Sequence, residues 1–148
     1  DDELVACFLD MVENHKMVVE NSGLLTVAAA KHLPAEGKRV VSILSGGNMD
    51  VITMSSVVQN GLIQRGRIFT VSVLLPDRPG MLVRVANVIA EQNGNVIKLE
   101  HNQFVSTNRQ AAVELRVTIE AYGESHKAQI VGALDAAGFK PEIVQTSL

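Results

Sequence analysis

The sequence predicts an α+β protein whose C-terminal part follows a βαββαβ order. Three observations predict it. A period-two alternation over residues 69–75 recurs over residues 111–120, an apolar helical stripe lies between them from residue 81 to 89, and a second helical stretch opens near Ser125 and stops at Gly138. An antiparallel sheet carrying two helices on one face, the ferredoxin-like or split βαβ plan, accommodates that order.

In the first strand Phe69, Val71, Val73 and Leu75 alternate with Thr70, Ser72 and Leu74. Pro76, Asp77, Arg78, Pro79 and Gly80 make the turn that follows. Met81, Leu82, Val85, Ala86, Val88 and Ile89 then form one face of a helix. Asn93 and Gly94 suit the left-handed geometry of a helix end. Ile97 and Leu99 begin a second strand, and continuing their alternation places His101 on the apolar face, where a satisfied core histidine is the plainer reading. In the third strand Ala111, Val113, Leu115, Val117 and Ile119 face one way and Ala112, Glu114, Arg116, Thr118 and Glu120 the other. Asn108 and Arg109 shape the loop before it. Ser125 is the expected cap of the last helix, and a short strand over residues 139–144 is weakened by Pro141.

The first 66 residues read differently. Helices are expected over residues 2–14 and from a Ser22 cap to about His32, where Pro34 stops the second. Residues 39–44, with Val40, Val41, Ile43 and Leu44, have the continuous apolar pattern of a strand buried on both faces. A helix over residues 50–64 follows the turn Ser45, Gly46, Gly47, Asn48. A lone buried strand has two edges that need neighbours, so this stretch reads as an incomplete α/β segment. The composition shift at Gly66 and Arg67 sets the expected boundary, giving domains 1–66 and 67–148.

Composition narrows the function classes. Of 148 residues 47% are hydrophobic and 20% charged, the balance of a folded domain. A net charge of −3 without a basic stripe, no Trp and one Tyr argue against nucleic acid. That also disfavours an RNA-binding split βαβ domain. No apolar run reaches the roughly 18 residues a membrane span needs, no signal sequence opens the chain, and the lone Cys7 has no disulfide partner, so a cytoplasmic protein is expected. Cys7 reads as a small buried hydrophobe. His15, His32, His101 and His126 lack metal-ligand spacing, so no metal is expected.

The turn at residues 77–80 joins a strand to a helix whose first N–H groups suit a carboxylate, although a tight βα connection is the plainer reading of those residues alone. The run Asp77, Arg78, Pro79, Gly80, Met81, Leu82, with Ile89, Ala90, Glu91 and then Gly94, Asn95, Val96, resembles the signature of ACT domains. That resemblance implies an amino-acid effector held between paired domains by Asp77, Gly80, Met81 and Leu82, with Asn95, Val96 and Ile97 opposite.

Residues 40–50, preceded by residues 16–23, resemble the C-terminal end of the catalytic domain of fold-type II pyridoxal-phosphate threonine and serine dehydratases. The chain has Glu20-Asn21 and Leu24 where that family commonly has Glu-Pro and Ala. The resemblance implies a hydrogen bond from Ser45 to the pyridine nitrogen of the cofactor, with Gly46, Gly47, Asn48 and Glu20 around the ring. Lys16, Lys31 and Lys38 have no Schiff-base context, so these residues alone are expected to hold no cofactor and to turn over no substrate. Together the two resemblances imply the regulatory portion of a threonine ammonia-lyase. Its effector would be isoleucine or valine, and it would be a homodimer or tetramer through its ACT domains. The alternative is an amino-acid-sensing or purely dimerising ACT module with no catalytic role.

Overall fold

A computed structural model describes residues 2–34, 36–102 and 112–147, with the side chain of Ala112 left aside. Asn108, Arg109 and Ala111 therefore lie outside the described residues. The chain divides into two compact units, Asp1–Gly61 and Leu62–Leu148.

The first unit contains α1 (Asp2–Asp10), a π-helical turn (Met11–His15), α2 (Asn21–Ala30) and most of α3 (Val51–Gln64). Cys7, Phe8, Met11, Val19, Leu24 and Ala28 form its core. Cys7 is buried there. Ser22 does not cap α2. Its hydroxyl donates instead to the Glu20 carboxylate at 2.6 Å, and Glu20 holds the capping position with no side-chain cap bond. Residues 39–44 are not a doubly buried strand. They have no sheet partner, and Val41 and Ile43 are 86% and 74% exposed. An apolar run becomes a strand only where neighbouring strands complete its hydrogen bonds, and none lies beside this one among the described residues. The segment is instead tied to α2, with the Thr26 hydroxyl donating to the Ile43 carbonyl at 3.1 Å and the Ser42 hydroxyl to the Thr26 carbonyl at 3.3 Å.

The second unit contains β1 (Ile68–Pro76), α4 (Met81–Glu91), β2 (Asn95–Asn102), β3 (Ala112–Glu120), α5 (Glu124–Ala136) and β4 (Glu142–Val144). This is the expected βαββαβ order. The strands form one sheet in the order β2-β3-β1-β4, and all three pairings are antiparallel. Phe69, Val71, Val73 and Leu75 of β1 and Leu115, Val117 and Ile119 of β3 face a core completed by Val85 and Ile89 of α4 and Ile130 and Leu134 of α5. The alternation placed both central strands because each turns one apolar face to this core, while Thr70, Ser72 and Thr118 on the opposite face are buried polar residues.

Helix ends follow one device. In α3, α4 and α5 the second residue past the helix is left-handed, with φ of 64° at Gly66, 61° at Asn93 and 87° at Gly138. In each, the next N–H closes back on the helix: Arg67 to Leu62, Gly94 to Ile89 and Phe139 to Leu134, at 2.9–3.0 Å. These are Schellman ends. Asn93 supplies the left-handed residue of α4, whereas Gly94 is required for space, because a Cβ there would lie 2.8 Å from Ile89 and 3.0 Å from Ile130. Helix α5 starts at Glu124 behind Gly123, not behind a Ser125 cap. The last strand is confined to Glu142–Val144, because Lys140 has φ 46° and Pro141 has no N–H to give a ladder.

His126 is the buried, satisfied histidine of this unit. Its Nδ1 accepts from the Tyr122 N–H at 3.1 Å, its Nε2 lies 2.6 Å from the Gln92 carbonyl, and its ring stacks on Tyr122. The neutral Nε2–H tautomer satisfies both bonds. It ties the start of α5 to the end of α4. His126→Ala is expected to cost about 1–3 kcal/mol by stranding a backbone donor and acceptor, measured by denaturant unfolding.

The other face of the sheet is polar. Thr70 and Thr118 are both buried, and their hydroxyls satisfy each other at 2.9 Å. Val144, Thr70, Thr118 and Lys98 form one cross-strand row, and Lys98 Nζ donates to the Ser147 carbonyl at 3.3 Å. Residues 145–147 thus turn back over the two threonines toward β2. Beside them Glu114 accepts from Arg116 Nε at 2.9 Å and from the Ser72 hydroxyl at 2.8 Å. The Arg116 hydrogen bond first, then the Ser72 bond, hold its carboxyl below the ordinary carboxylate range. A depressed carboxylate stabilises the fold above its unfolded pKa, roughly 4.3, and loses that contribution as pH falls through the folded value. Thermal melts between pH 7 and 3 should therefore fall in the acid limb, and Glu114→Gln should flatten that limb.

Candidate functional site

Two places gather the residues singled out in the sequence, one in each unit. In the second unit, β1 ends at Pro76, whose carbonyl accepts from the Arg78 N–H at 2.8 Å and closes a tight turn. Gly80 follows with φ 87° and ψ −12°, and α4 begins there without a side-chain cap. The Met81 N–H donates back to the Arg78 carbonyl at 3.4 Å, and the next N–H groups of this helix start have no partner within the helix, which leaves a partial positive charge there. Glycine is needed at position 80 for its left-handed backbone and not to remove bulk, since a Cβ would meet nothing within 4 Å.

A cavity of about 350 Å³ lies at this turn. Leu75 and Val113, paired in the β1–β3 register and 4% and 2% exposed, are its buried apolar lining. Met81 and Leu82 border it from α4, and Asp77, Arg78 and Gly80 from the turn. His101, at the end of β2, also lines it. His101 is therefore exposed and not the core histidine expected. It lies beside Leu115 on the apolar face, as the alternation places it, but at the end of an edge strand.

Asp77, Gly80, Met81 and Leu82 line this one cavity. Asn95, Val96 and Ile97 do not join them within one chain. Asn95 pairs with Glu120, whereas Pro76, just before the turn, pairs with Ala112, so the start of β2 and the cavity lie at opposite ends of β3. A bulge at Ile97 leaves Val96 opposite Ile119 and Lys98 opposite Thr118, and Val96 and Ile97 are 37% and 43% exposed on the edge strand. Arg78, His101, Leu75 and Val113 were not singled out for this site. The signal for Leu75 and Val113 is strand register, which a single sequence does not display.

In the first unit the turn from Ser45 to Asn48 sits against the start of α2. The Glu20 N–H donates to the Gly46 carbonyl at 3.2 Å. Gly46 has φ 81°, and a Cβ there would lie 2.5 Å from Glu20 Oε1. A Cβ on Gly23 would lie 1.9 Å from the Ser45 carbonyl oxygen. Gly23 is thus the residue that lets the turn approach α2, and it was missed as a site residue. Asn48, Glu20, Asn21, Ser22, Asp50 and Thr53 are among the lining of a polar cavity of about 320 Å³. Asp50 caps α3 by accepting from the Ile52 and Thr53 N–H groups at 3.0 and 2.9 Å. The Thr53 hydroxyl, then the Thr53 N–H, hold its carboxyl below the ordinary range. Ser45 is exposed on this glycine-rich turn and carries a neutral hydroxyl that can donate one hydrogen bond. Lys16 Nζ donates to the Glu13 carbonyl and Lys31 Nζ to the Asp10 carboxylate, both at the surface of the first unit. Among the described residues no cluster of three His, Cys, Asp or Glu is suited to a metal, and no helix is long and apolar enough to cross a membrane.

Residues 69–139 match the ACT domain family, and with the βαββαβ sheet they form an ACT domain. Across nearly its whole length the chain is homologous to L-threonine ammonia-lyases. It is 30% identical over 145 residues to the L-threonine ammonia-lyase of Thermotoga maritima, covering 97% of this chain and 36% of that protein. It is 29% identical over 147 residues to the L-threonine ammonia-lyase of Geobacter sulfurreducens, covering 98% and 37%. With the L-threonine dehydratase biosynthetic IlvA of Haemophilus influenzae the figures are 31% identity, 95% and 27%. The chain thus spans roughly a third of the length of these relatives.

Proposed function

We propose that this chain is the regulatory portion of a cytoplasmic threonine ammonia-lyase, together with an adjoining edge of its cofactor-binding domain. The whole enzyme removes water from threonine, and hydrolysis then yields 2-oxobutanoate and ammonia. The observation that carries the reading is the cavity of an ACT domain lined by Asp77, Gly80, Met81 and Leu82, in a chain homologous to threonine ammonia-lyases. Its ligand is an aliphatic amino acid, isoleucine first and valine second, and Asn95, Val96 and Ile97 of a second copy complete the site in a dimer or tetramer.

An effector changes activity only if it binds one arrangement of the assembly better than another, with coupling of about 1–3 kcal/mol. A site shared between copies supplies that difference, because its completion depends on how the copies meet. At the other site the Ser45 hydroxyl donates to the ring nitrogen of pyridoxal phosphate, with Gly46, Gly47, Asn48 and Glu20 around it. When bound, that cofactor withdraws electrons from the carbon at which substrate bonds break. A neutral hydroxyl leaves the ring nitrogen less electron-withdrawing than an aspartate partner does. The 148 residues alone are not expected to turn over threonine.

Thermal unfolding with isoleucine, valine, threonine and serine tests the reading. A ligand at a hundred times its dissociation constant stabilises by about 2.7 kcal/mol, so a binding effector should raise the melting temperature by several degrees. No shift with any of the four would leave the purely dimerising module as the function.

A further inference from the structure

Helix α5 and the edge strand β4 leave a groove at the side of the ACT domain opposite to β2. Its cavity is about 490 Å³, and Lys127, Ala128, Val131, Gly132 and Asp135 of α5 line it with Ile143 of β4. Ile143 pairs with Val71 on the core face of the sheet, yet it is 56% exposed, because β4 has a strand beside it on one edge only. Gly132 sits inside α5, where glycine weakens a helix relative to alanine, and a Cβ on it would meet nothing within 4 Å. No described residue uses the space beside it. An extended peptide is a poor occupant, since β4 is only Glu142–Val144 and Pro141 before it has no N–H to pair. A second helix suits the groove better, because the small Ala128 and Gly132 allow its axis to come close.

We infer that the groove receives α5 of a second copy, packed antiparallel about a two-fold axis at Val131. The charges of α5 are self-complementary in that register. Lys127 and Asp135 lie four residues to either side of Val131, about 6 Å each way at 1.5 Å per residue, so Lys127 meets Asp135 of the partner subunit and the contact occurs twice. A parallel pair would instead set lysine against lysine and aspartate against aspartate, which is repulsive. Asp135 is exposed, and Lys127 already pairs with Glu124 at 3.1 Å on the groove side of the helix. The second helix would also cover Ile143. Because the sheet order is β2-β3-β1-β4, this surface and the β2 edge can be occupied at once. The copy whose Asn95, Val96 and Ile97 complete the amino-acid site is then a different one, and two isologous contacts at separate surfaces build a tetramer. The α5 contact itself does not rest on the amino-acid reading.

Light scattering and sedimentation of the 148-residue chain, without ligand, test this. Asp135→Lys and Lys127→Asp should each halve the mass of the assembly and weaken association tenfold or more. Combined in one chain they restore opposite charges across the axis, and the mass should return to that of the parent. Gly132→Gln fills only the space the second helix needs, so it should also halve the mass while amide NMR shows the ACT domain still folded. If Lys127→Asp unfolds the domain by losing its Glu124 pair, Asp135→Lys and Gly132→Gln carry the test. A parent that is monomeric at every concentration overturns the inference, and so does a mass that none of the folded variants lowers. A folded double variant that associates no better than the single ones overturns it as well, because the antiparallel register is part of it. Isoleucine binding to a chain whose mass these variants leave unchanged would sink the α5 contact and leave amino-acid sensing standing.

Discussion

Gly23→Ala is expected to destabilise the first unit by about 3 kcal/mol or more, at or beyond the top of the ordinary overpacking range. The new Cβ would sit 1.9 Å from the Ser45 carbonyl oxygen, 2.9 Å from its carbon and 2.8 Å from Val19 Cγ1. Two of those atoms are backbone, so no rotamer change relieves the contact. Either α2 or the turn carrying Ser45, Gly46, Gly47 and Asn48 must move, and the Glu20 to Gly46 hydrogen bond is lost with it. Urea unfolding followed by amide NMR reads each unit separately. The first should unfold at lower urea, while the ACT domain should keep its midpoint. Gly132→Ala is the control, because nothing lies within 4 Å of its Cβ position and alanine favours a helix. A Gly23→Ala midpoint within experimental error of the parent would mean the turn does not rest on α2.

Leu115→Ala should cost the ACT domain about 2–5 kcal/mol. Leu115 is fully buried at the centre of β3, opposite Val73 on one side and His101 on the other. Removing its side chain opens a void in the core formed with Val85, Ile89 and Ile130. The consequence reaches the candidate site, because His101 and the cavity-lining Val113 are both held by β3. The expected results are a thermal midpoint lowered by more than ten degrees and loss of the isoleucine-induced shift at temperatures where the parent still binds.

Much of the ACT domain is legible from one sequence because its determinants are local. Strands β1 and β3 each turn an apolar face to the helices and a polar one away, which writes a period of two into residues 69–75 and 113–119. The stops at Gly66, Asn93 and Gly138 are single residues whose backbone preference decides the outcome. Capping was less legible. Ser22 and Ser125 have the right chemistry, but Glu20 engages the first and Gly123 begins α5 before the second. Residues 39–44 have the apolar density of a buried strand and form none, because a ladder depends on partners that no local pattern encodes. The candidate site divides the same way. Residues 77–82 are contiguous and are implicated by the resemblance to the ACT signature, whereas His101, Leu75 and Val113 reach the cavity through pairings between distant segments. The face on which His101 lies was legible, but its exposure was not, since the covering of a strand end is a tertiary property. Gly23 was invisible as a determinant because what it admits is a carbonyl from Ser45.

Isothermal titration of the 148-residue chain with isoleucine is the most direct measurement of what the ACT domain does. Saturable heat is expected, with valine competing for the same site and serine failing to do so. Absence of heat with isoleucine, valine and threonine alike, from a chain shown by NMR to be folded, would contradict an amino-acid-sensing role.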